Sequence, residues 1–338
     1  MGTVAVFVGL DYHDAEVQVC VLDRHGHQLG NRATANDWQA IAGVVGRHGD
    51  AVHAAIESCC GAADLAEELV QRAGWSVDLA HPGFVARMKQ NPDKTDYQDA
   101  HLLADLERVG YLPRVWLAPE PVRELRRLVR YRQQLVQSRR DAKLRIRALL
   151  REQRLAPPPG VNPWTRAWQA WLAGAAALSE QGRWVVGCHL RALGRAAEDL
   201  REVQERLAAL TAGDAAVARL LAQPGIGPVT AWTLRAEIGR FDRFRTGKQL
   251  ARFCGLSPKN ASSGQRQADA GLIRAANPQL RAVLIEAAHR LARLDPRWRA
   301  LGQRLRQAGK PGSLVAAAVA NRWVRWLFHQ MQEAQVAA

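Results

Sequence analysis

Val4-Ala5-Val6-Phe7-Val8-Gly9-Leu10-Asp11 decides the fold of the N-terminal region. A short, continuous apolar run of this kind is typical of a strand buried in a sheet, and here an aspartate ends it. Polar and apolar residues alternate over 16–22, which predicts a half-buried second strand, and the turn His25-Gly26-His27 lets residues 28–34 return as a third. The chain therefore begins with a three-stranded meander.

Strands and helices alternate after this meander. Asp37 can cap the first helix, and Gly110 ends the last one. The predicted elements are helix 37–47, strand 52–56, helix 62–73, strand 76–80 and helix 95–109. This order matches a ribonuclease-H-like α/β sheet, in which several strand ends and one late helix face a common point.

Four carboxylates fall at those positions. Asp11 ends the first strand, Glu57 ends strand 52–56, and Asp96 and Asp99 lie one turn apart on the same face of the last helix. Like charges gathered in this way repel, so the cluster indicates a divalent cation, which we assign as Mg²⁺. On a chain with a net charge of +15, such a site predicts metal-dependent chemistry on nucleic-acid phosphates.

A plainer interpretation of the same residues stays open. A strand end, a loop start and two solvated helix positions would also account for the carboxylates one by one, and Asp105 is the nearest substitute ligand. The histidines show no metal-ligand spacing, and His101, close to Asp99, is the one that we single out. Four carboxylates at these places together favour the metal site.

Residues 119–155 predict one long basic helix. Apolar residues recur there at helical spacing in a coiled-coil-like stripe, and twelve Lys and Arg residues face three acids over 121–155, a balance of +9. Pro157-Pro158-Pro159-Gly160 ends the helix. Because this charge exceeds the need of a solvated face, we expect the helix to hold nucleic-acid backbones by counterion release.

The following region is helical again. Residues 190–210 can pair with the basic helix as an antiparallel hairpin. Trp164, Trp168 and Trp171 share one helix face, and such a stripe belongs more often to a core than to a base-stacking platform.

Two loops in the last third of the chain each allow two interpretations. Pro224-Gly225-Ile226-Gly227-Pro228 can be a helix-hairpin-helix turn that brings backbone N–H groups to a phosphate, or an ordinary turn. Ser262 and Ser263 lie in a polar loop between helices. One of them can attack a phosphodiester where cations surround it, although by itself Ser-Ser-Gly is typical of a simple turn.

Composition limits the class of protein further. The five cysteines are odd in number and form no CxxC pair, so neither a disulfide framework nor a zinc ribbon is indicated. No apolar run approaches the roughly 20 residues of a membrane span, and the start of the sequence does not resemble a signal peptide. We therefore expect a cytoplasmic bacterial protein, associated with the nucleoid, with no membrane partner.

Two sets of motifs resemble one family, the DEDD transposases of bacterial insertion sequences that act as bridge-RNA-guided serine recombinases. The first set is Val8-Gly9-Leu10-Asp11-Tyr12-His13, Ile56-Glu57-Ser58 and Lys94-Thr95-Asp96-Tyr97-Gln98-Asp99-Ala100. The second set is 224–231, Phe253-Cys254-Gly255-Leu256-Ser257-Pro258, Ser262-Ser263-Gly264 and Asn277-Pro278-Gln279-Leu280-Arg281. The resemblance covers nearly the whole chain, and its motifs occur in the family's order.

The resemblance implies three regions and a two-part active site. The regions are a RuvC-like, ribonuclease-H-like domain at 1–115, a basic coiled-coil region at 116–215, and a mainly helical transposase domain with a helix-hairpin-helix-like motif at 216–338. A serine of the Ser-Ser-Gly loop would form a covalent 5′-phosphoserine link to DNA, and we place it at Ser263, with Ser262 as the alternate. The metal site of one subunit would act with the serine of another, in a dimer or tetramer.

The resemblance thus implies a DNA transposase that acts on donor and target DNA under the direction of a structured noncoding guide RNA. The alternatives are a metal-dependent junction-resolvase-like nuclease that uses water, and a non-catalytic nucleic-acid-binding protein. The expected nucleic-acid contacts are Arg123, Arg126, Arg127, Arg130, Arg139, Arg140, Lys143, Arg147, Gly225, Gly227, Lys259, Arg266 and Arg274.

Overall fold

The structure is a computed structural model that describes residues 5–89, 95–174, 177–260, 269–273 and 276–336. The chain divides into two compact units, Met1–Pro119 and Glu120–Ala338. No helix in the described ranges combines the length and the apolar character that a membrane span requires.

The first unit is built on a six-stranded mixed sheet with the order β3-β2-β1-β4-β5-β6. Its strands are β1 (Ala5–Tyr12), β2 (Glu16–Leu22), β3 (Gln28–Ala35), β4 (Ala51–Glu57), β5 (Ser76–Ala80) and β6 (Arg114–Val115). Strands β1, β2 and β3 form the predicted antiparallel meander, while β4 runs parallel to β1 and β5 parallel to β4. Leu10 pairs with Ile56, so the C-terminal ends of the central strands β1 and β4 lie side by side.

Helices cover both faces of this sheet. They are α1 (Trp38–Val45), α2 (Ala62–Ala73), α3 (Pro82–Met88) and α4 (Asp96–Arg108). Leu10 and Ile56 pack in one core with the residues of α1 and α2, whereas Ala100 and Ala104 of α4 pack against the opposite face. As predicted, the Asp37 carboxylate accepts hydrogen bonds from backbone N–H groups in the first turn of α1.

The second unit is mainly helical. Its elements are α5 (Glu120–Glu152), α6 (Arg166–Gly174), α7 (Glu180–Leu210), α8 (Ala215–Leu221), α9 (Pro228–Ile238), α10 (Gly247–Phe253), β7 (Pro258–Asn260), β8 (Asp269–Leu272), α11 (Pro278–Leu294), α12 (Pro296–Gln307) and α13 (Gly312–Val336). The hairpin predicted for 190–210 is present, because Leu125 of α5 shares a core with Leu207 of α7, while Ile146 shares another with Val186. Helices α5 and α7 are therefore antiparallel.

An N-terminal mixed α/β sheet followed by helices confirms the coarse part of the predicted fold class. Short helix α3 and two-residue strand β6 were not predicted. The first boundary predicted at 115 falls near the division at Pro119, whereas the regions predicted as 116–215 and 216–338 lie in a single compact unit. This grouping has a physical cause, since the start of α5 packs in the same core as α9 to α13.

Two helices, α8 and α9, flank the glycine turn of the predicted helix-hairpin-helix-like motif.

Candidate active site

Asp11, His13 and Asp96 form a compact group of side chains suited to bind a metal ion. One ligand atom from each lies within 4.8 Å of the others. His13 Nε2 is 3.5 Å from Asp11 Oδ2 and 3.3 Å from Asp96 Oδ2. The Asp11 side chain is only 16% exposed, whereas that of Asp96 is 48% exposed. A sheltered carboxylate and an open one thus face the same point, next to an imidazole.

Gly9 allows helix α4 to reach the central strand. A Cβ placed on Gly9 would lie 1.8 Å from the carbonyl oxygen of Ala100 and 2.6 Å from the amide nitrogen of Ala104, both backbone atoms of α4. The helix therefore lies directly on the strand. Because Asp96 is in the first turn of α4 and Asp11 follows Gly9 by two residues, this contact brings the two carboxylates together.

Glu57 lies beside Asp11 on the neighbouring strand. It follows Ile56, the partner of Leu10, so Glu57 and Asp11 hold the next position on adjacent parallel strands and face the same side of the sheet. Burial raises the pKa of the Cys59 thiol, and the charges of Glu57 and Asp11 raise it further, so both carboxylates lie within electrostatic range of that thiol. The Glu57 carboxylate is not in the group with His13.

Asp99, the fourth predicted ligand, is paired with a lysine. Lys89 Nζ donates a hydrogen bond of 2.6 Å to Asp99 Oδ2, and the two side chains are 26% and 11% exposed. Asp99 is one turn beyond Asp96 in α4, but its carboxylate lies outside the Asp11 group. The substitute considered in the sequence, Asp105, pairs with Arg108 at 2.6 Å.

His13 and Lys89 were not predicted as site residues, whereas His101, the histidine singled out from the sequence, is not part of the group. A signal for His13 was present, since residues two apart on a strand face the same side and Asp11 precedes His13 by two. Lys89 is ten residues from Asp99 with a helix start between them. No periodicity of the sequence predicts that pair.

The first half of α5 uses its arginines within the second unit. Arg123 pairs with Glu120, and Arg127 pairs with both Glu120 and Glu124. These are contacts along the helix itself, and Arg127 and its partners are half-exposed. The predicted nucleic-acid contacts of Arg123 and Arg127 stay predictions, with intramolecular partners that a phosphate would have to replace.

Buried Glu237 of α9 binds two further arginines of α5. Arg130 Nε and Nη2 donate to its two oxygens at 3.0 and 3.2 Å, and Arg126 Nε lies 3.8 Å away. Asn277, which caps α11, donates to the same carboxylate at 2.8 Å. Glu237 is 4% exposed, and burial lowers the pKa of Arg126 while the charge of Glu237 opposes that shift. We call these four residues the Glu237 junction.

The second half of α5 presents its cations outward. Arg139, Arg140 and Arg147 are exposed, and none of them forms an ion pair with a carboxylate among the described residues. Lys143 Nζ lies 4.8 Å from the ring centre of Trp164. Trp168 is buried in α6, as predicted for a core stripe, but Trp164 precedes that helix with φ +73°, so the predicted helix face shared by all three tryptophans was wrong for Trp164. This half of α5 carries the charge that remains available to a polyanion.

The glycine turn before α9 forms an open cleft of about 440 Å³. Gly225 adopts φ +75°, and Arg290 donates to its carbonyl oxygen at 2.9 Å, while Gly227 precedes the first turn of α9. Lys259 is exposed on β7. The predicted residues Ser262, Ser263, Arg266 and Arg274 lie outside the described residues.

Comparison with known proteins identifies the class to which this arrangement belongs. A family model of DEDD transposases of the IS110 type matches residues 8–154, which include the Asp11 group. A second model, described as the transposase IS116/IS110/IS902 family, matches residues 217–303.

Full-length relatives give the same result. The chain is 30% identical to a probable family 20 transposase of Pseudomonas aeruginosa over 341 residues, which covers 95% of each chain. It is 25% identical to the transposase for insertion sequence element IS1111A of Coxiella burnetii, over 96% of this chain and 90% of the relative. The IS1328 transposase of Yersinia enterocolitica is 28% identical over 69% of each chain.

These similarities define a class of protein, the transposases of bacterial insertion sequences. The chain belongs to the IS116/IS110/IS902 transposase family. Membership implies DNA as the substrate and DNA cleavage with strand transfer as the activity.

Proposed function

We propose that this transposase is a Mg²⁺-dependent, RNA-guided serine recombinase. The observation that carries the proposal is the convergence of Asp11 and Asp96 at one end of the sheet, with Glu57 at the adjacent strand position. The strand order and the helices on both faces support a ribonuclease-H-like, RuvC-like assignment for this unit.

The donor set fits a hard divalent cation. Asp11, Asp96 and Glu57 supply carboxylate oxygens, which Mg²⁺ prefers, and Asp99 can add another when Lys89 releases it. A bound Mg²⁺ would polarise the scissile phosphate and offset its charge. His13 contributes a nitrogen, which Mg²⁺ accepts less readily, so we assign His13 to positioning the two carboxylates through its contacts of 3.5 Å to Asp11 and 3.3 Å to Asp96.

The nucleophile in this proposal is Ser263, with Ser262 as the alternate. The serine Oγ forms a bond to phosphorus, and the bond from phosphorus to the 3′ oxygen of the preceding nucleotide breaks. The serine proton passes to a base, and the departing 3′ oxygen gains a proton, which leaves a 5′-phosphoserine link and a free 3′ hydroxyl. The support for this step is the resemblance of the Ser262-Ser263-Gly264 segment to the family's serine loop.

Guide RNA, oligomer and location complete the proposal. The outward cations of α5 would hold DNA and RNA backbones, while base pairing with a guide RNA would select the donor and target sequences. The acidic site and the serine would come from different subunits of a dimer or tetramer, acting in the bacterial cytoplasm at the nucleoid.

A recombination assay with donor and target DNA and the flanking noncoding RNA tests the mechanism. We expect Asp11→Ala and Ser263→Ala each to lower product formation at least a hundredfold, as loss of a charge-stabilising group or a nucleophile does in other enzymes. Full activity in both variants, with Ser262→Ala also active, contradicts the proposal.

Two further measurements separate the alternatives. Serine recombination predicts a protein–DNA adduct that survives denaturation, whereas a nuclease that uses water gives cleavage without an adduct. A non-catalytic binding protein with scattered carboxylates predicts no change in melting temperature on adding Mg²⁺, whereas a clustered site predicts a rise that Asp11→Asn reduces.

A further inference from the structure

A cleft of about 590 Å³ opens between helices α12 and α13, in the second unit and apart from the glycine turn. Arginines from both helices line it: Arg297 and Arg304 of α12, and Arg322 and Arg325 of α13. Helix α12 contains four arginines and no acidic residue between Pro296 and Gln307. The cleft is therefore lined by basic faces of two helices.

The charge of this cleft is not balanced by acids. No carboxylate lines the cleft, and none of its four arginines forms an ion pair among the side chains that the structure describes. By contrast, Arg126 and Arg130 of α5 converge on buried Glu237. Four neighbouring cations repel one another, and a polyanion in the cleft would relieve that repulsion.

Aromatic rings form the inner surface of the same cleft. Trp298 is 4% exposed and holds Trp326 in an edge-to-face contact, with ring centres 6.2 Å apart. The guanidinium of Arg297 lies 4.9 Å from the ring centre of Trp298 and 5.6 Å from that of Trp326. A half-buried indole and a stacked guanidinium therefore lie beside the free arginines.

We propose that this cleft binds an unpaired stretch of nucleic acid. The phosphates would lie on Arg304, Arg322 and Arg325, and one base would stack on Trp326 and Arg297. Combined cations and aromatic rings are typical of single-strand sites, and a base inside a duplex has no free face for stacking. The volume is that of a pocket for one small ligand, so it fits a nucleotide or two.

This inference rests on the proposed function only in requiring that the chain act on nucleic acid. Unpaired DNA and unpaired RNA offer the same phosphates and base faces, and both occur when a guide RNA opens a duplex. The experiment therefore includes an arm for each.

The test is fluorescence anisotropy with the full chain and fluorescein-labelled ten-nucleotide oligothymidylate, ten-nucleotide oligouridylate and a ten-base-pair duplex, at several salt concentrations. The variant Arg304→Ala/Arg322→Ala removes two exposed cleft cations. Its control, Arg293→Ala/Arg306→Ala, removes two exposed arginines of α11 and α12 that do not line the cleft.

We expect the cleft variant to bind single strands about tenfold more weakly. The slope of log affinity against log salt concentration should become smaller in magnitude by about 1.4, because two phosphate contacts are lost. The control should change affinity by less than about twofold. A larger loss with oligouridylate in the cleft variant assigns the site to RNA, a larger loss with oligothymidylate assigns it to DNA, and either supports the proposal. Equal losses in the cleft variant and its control, or an equal loss of duplex and single-strand affinity in the cleft variant, overturn it.

A photocrosslink locates the bound base independently. An oligonucleotide with a central 5-iodouracil should attach to the peptide that contains Trp326, and Trp326→Leu should abolish the attachment. Attachment only elsewhere overturns the proposal. Failed recombination by the wild type together with normal cleft binding refutes only the proposed function, and the reverse result refutes only this inference.

Discussion

A single residue, Gly9, decides whether the acidic site of the first unit is assembled. Asp11 is held by a central strand and Asp96 by the first turn of α4, so their separation depends on how closely that helix lies on the strand. Gly9 sets this distance, because the backbone of α4 fills the space of a Cβ. The geometry of the site therefore depends on the absence of a Cβ atom at position 9.

Gly9→Ala should separate the two carboxylates without removing either. Since the overlapping atoms are backbone atoms of Ala100 and Ala104, the helix must shift, and we expect a loss of about 3 kcal/mol in the free energy of unfolding. The Mg²⁺-induced rise in melting temperature should shrink as well. Gly43→Ala in α1 is the matched control, because that glycine has no neighbour within 4 Å and alanine should stabilise the helix by about 0.5–1 kcal/mol. Equal behaviour of the two variants would contradict this role for Gly9.

Lys89 and a metal ion compete for the Asp99 carboxylate if Asp99 is the ligand that we propose. Lys89→Met should cost about 2 kcal/mol of stability in EDTA, since it leaves a carboxylate only 11% exposed without its cation. The same variant should bind Mg²⁺ about tenfold more tightly in a calorimetric titration.

Arg108→Met provides the comparison for Lys89→Met. It removes the cation that pairs with Asp105, whose side chain is 41% exposed on the same helix, so stability should fall by no more than about 0.5 kcal/mol. Mg²⁺ affinity should stay the same. An unchanged affinity in Lys89→Met would show that Asp99 is not a ligand.

Much of the acidic site could be predicted because strand ends and a helix turn fix residue positions. The end of β1, the end of β4 and the first turn of α4 bring Asp11, Glu57 and Asp96 to one end of the sheet, as the order of elements indicated. His13 was within reach of the same argument, through the alternation of strand residues. Lys89 was not, because its contact depends on how α3 packs against α4, which has no signal in local sequence.

Helices and strands that are long enough to show a repeating pattern of apolar residues have bounds within a few residues of those predicted. Strand β2 and helix α2 have the predicted bounds. Helix α3 has only seven residues and strand β6 only two, and neither is long enough to show a period. Tertiary contacts stabilise both: Leu79 pairs with Val115 of β6, and Val85 of α3 is buried against the sheet.

The Glu237 junction joins three helices of the second unit, and its loss should be costly. Glu237→Ala leaves Arg126 and Arg130 without their shared carboxylate and Asn277 without an acceptor, so we expect a loss of about 2–4 kcal/mol. Urea denaturation followed by circular dichroism measures it.

Glu202→Ala is the control for the junction. Glu202 pairs with Arg206 on α7, where both side chains are more than 60% exposed, so its removal should cost less than about 0.5 kcal/mol. A similar small loss in Glu237→Ala would mean that the junction adds nothing to the stability of the unit.

At the scale of the whole molecule, each of the two compact units contains a buried thiol. Cys20 belongs to the first unit and Cys254 to the second, and both are completely buried. Burial raises the pKa of Cys20 to about 12 and raises that of Cys254 as well, so neither forms thiolate at pH 8. Cys59 and Cys60 are exposed.

Alkylation at pH 8 followed by mass spectrometry should therefore modify exposed Cys60, and Cys59 more slowly because its pKa is raised, while Cys20 and Cys254 stay unmodified in the native protein. In a urea series, the two buried thiols should become reactive at different concentrations, since each reports the opening of its own core. Modification of Cys20 or Cys254 in the absence of urea would contradict the packing described above.

The Glu237 junction also connects the long basic helix α5 to the start of α11. Helix α5 has 33 residues and is about 50 Å long, and the junction binds it near its start while the outward cations lie toward its far end. Roughly 33 Å separate Arg130 from Glu152 along the helix axis, and Ile146 in this far half packs in one core with Val186 of α7. Asn277, which caps α11, donates a hydrogen bond to the same carboxylate of Glu237. The helix that carries the outward cations and the chain segment that follows the predicted serine loop are thereby joined at one buried carboxylate.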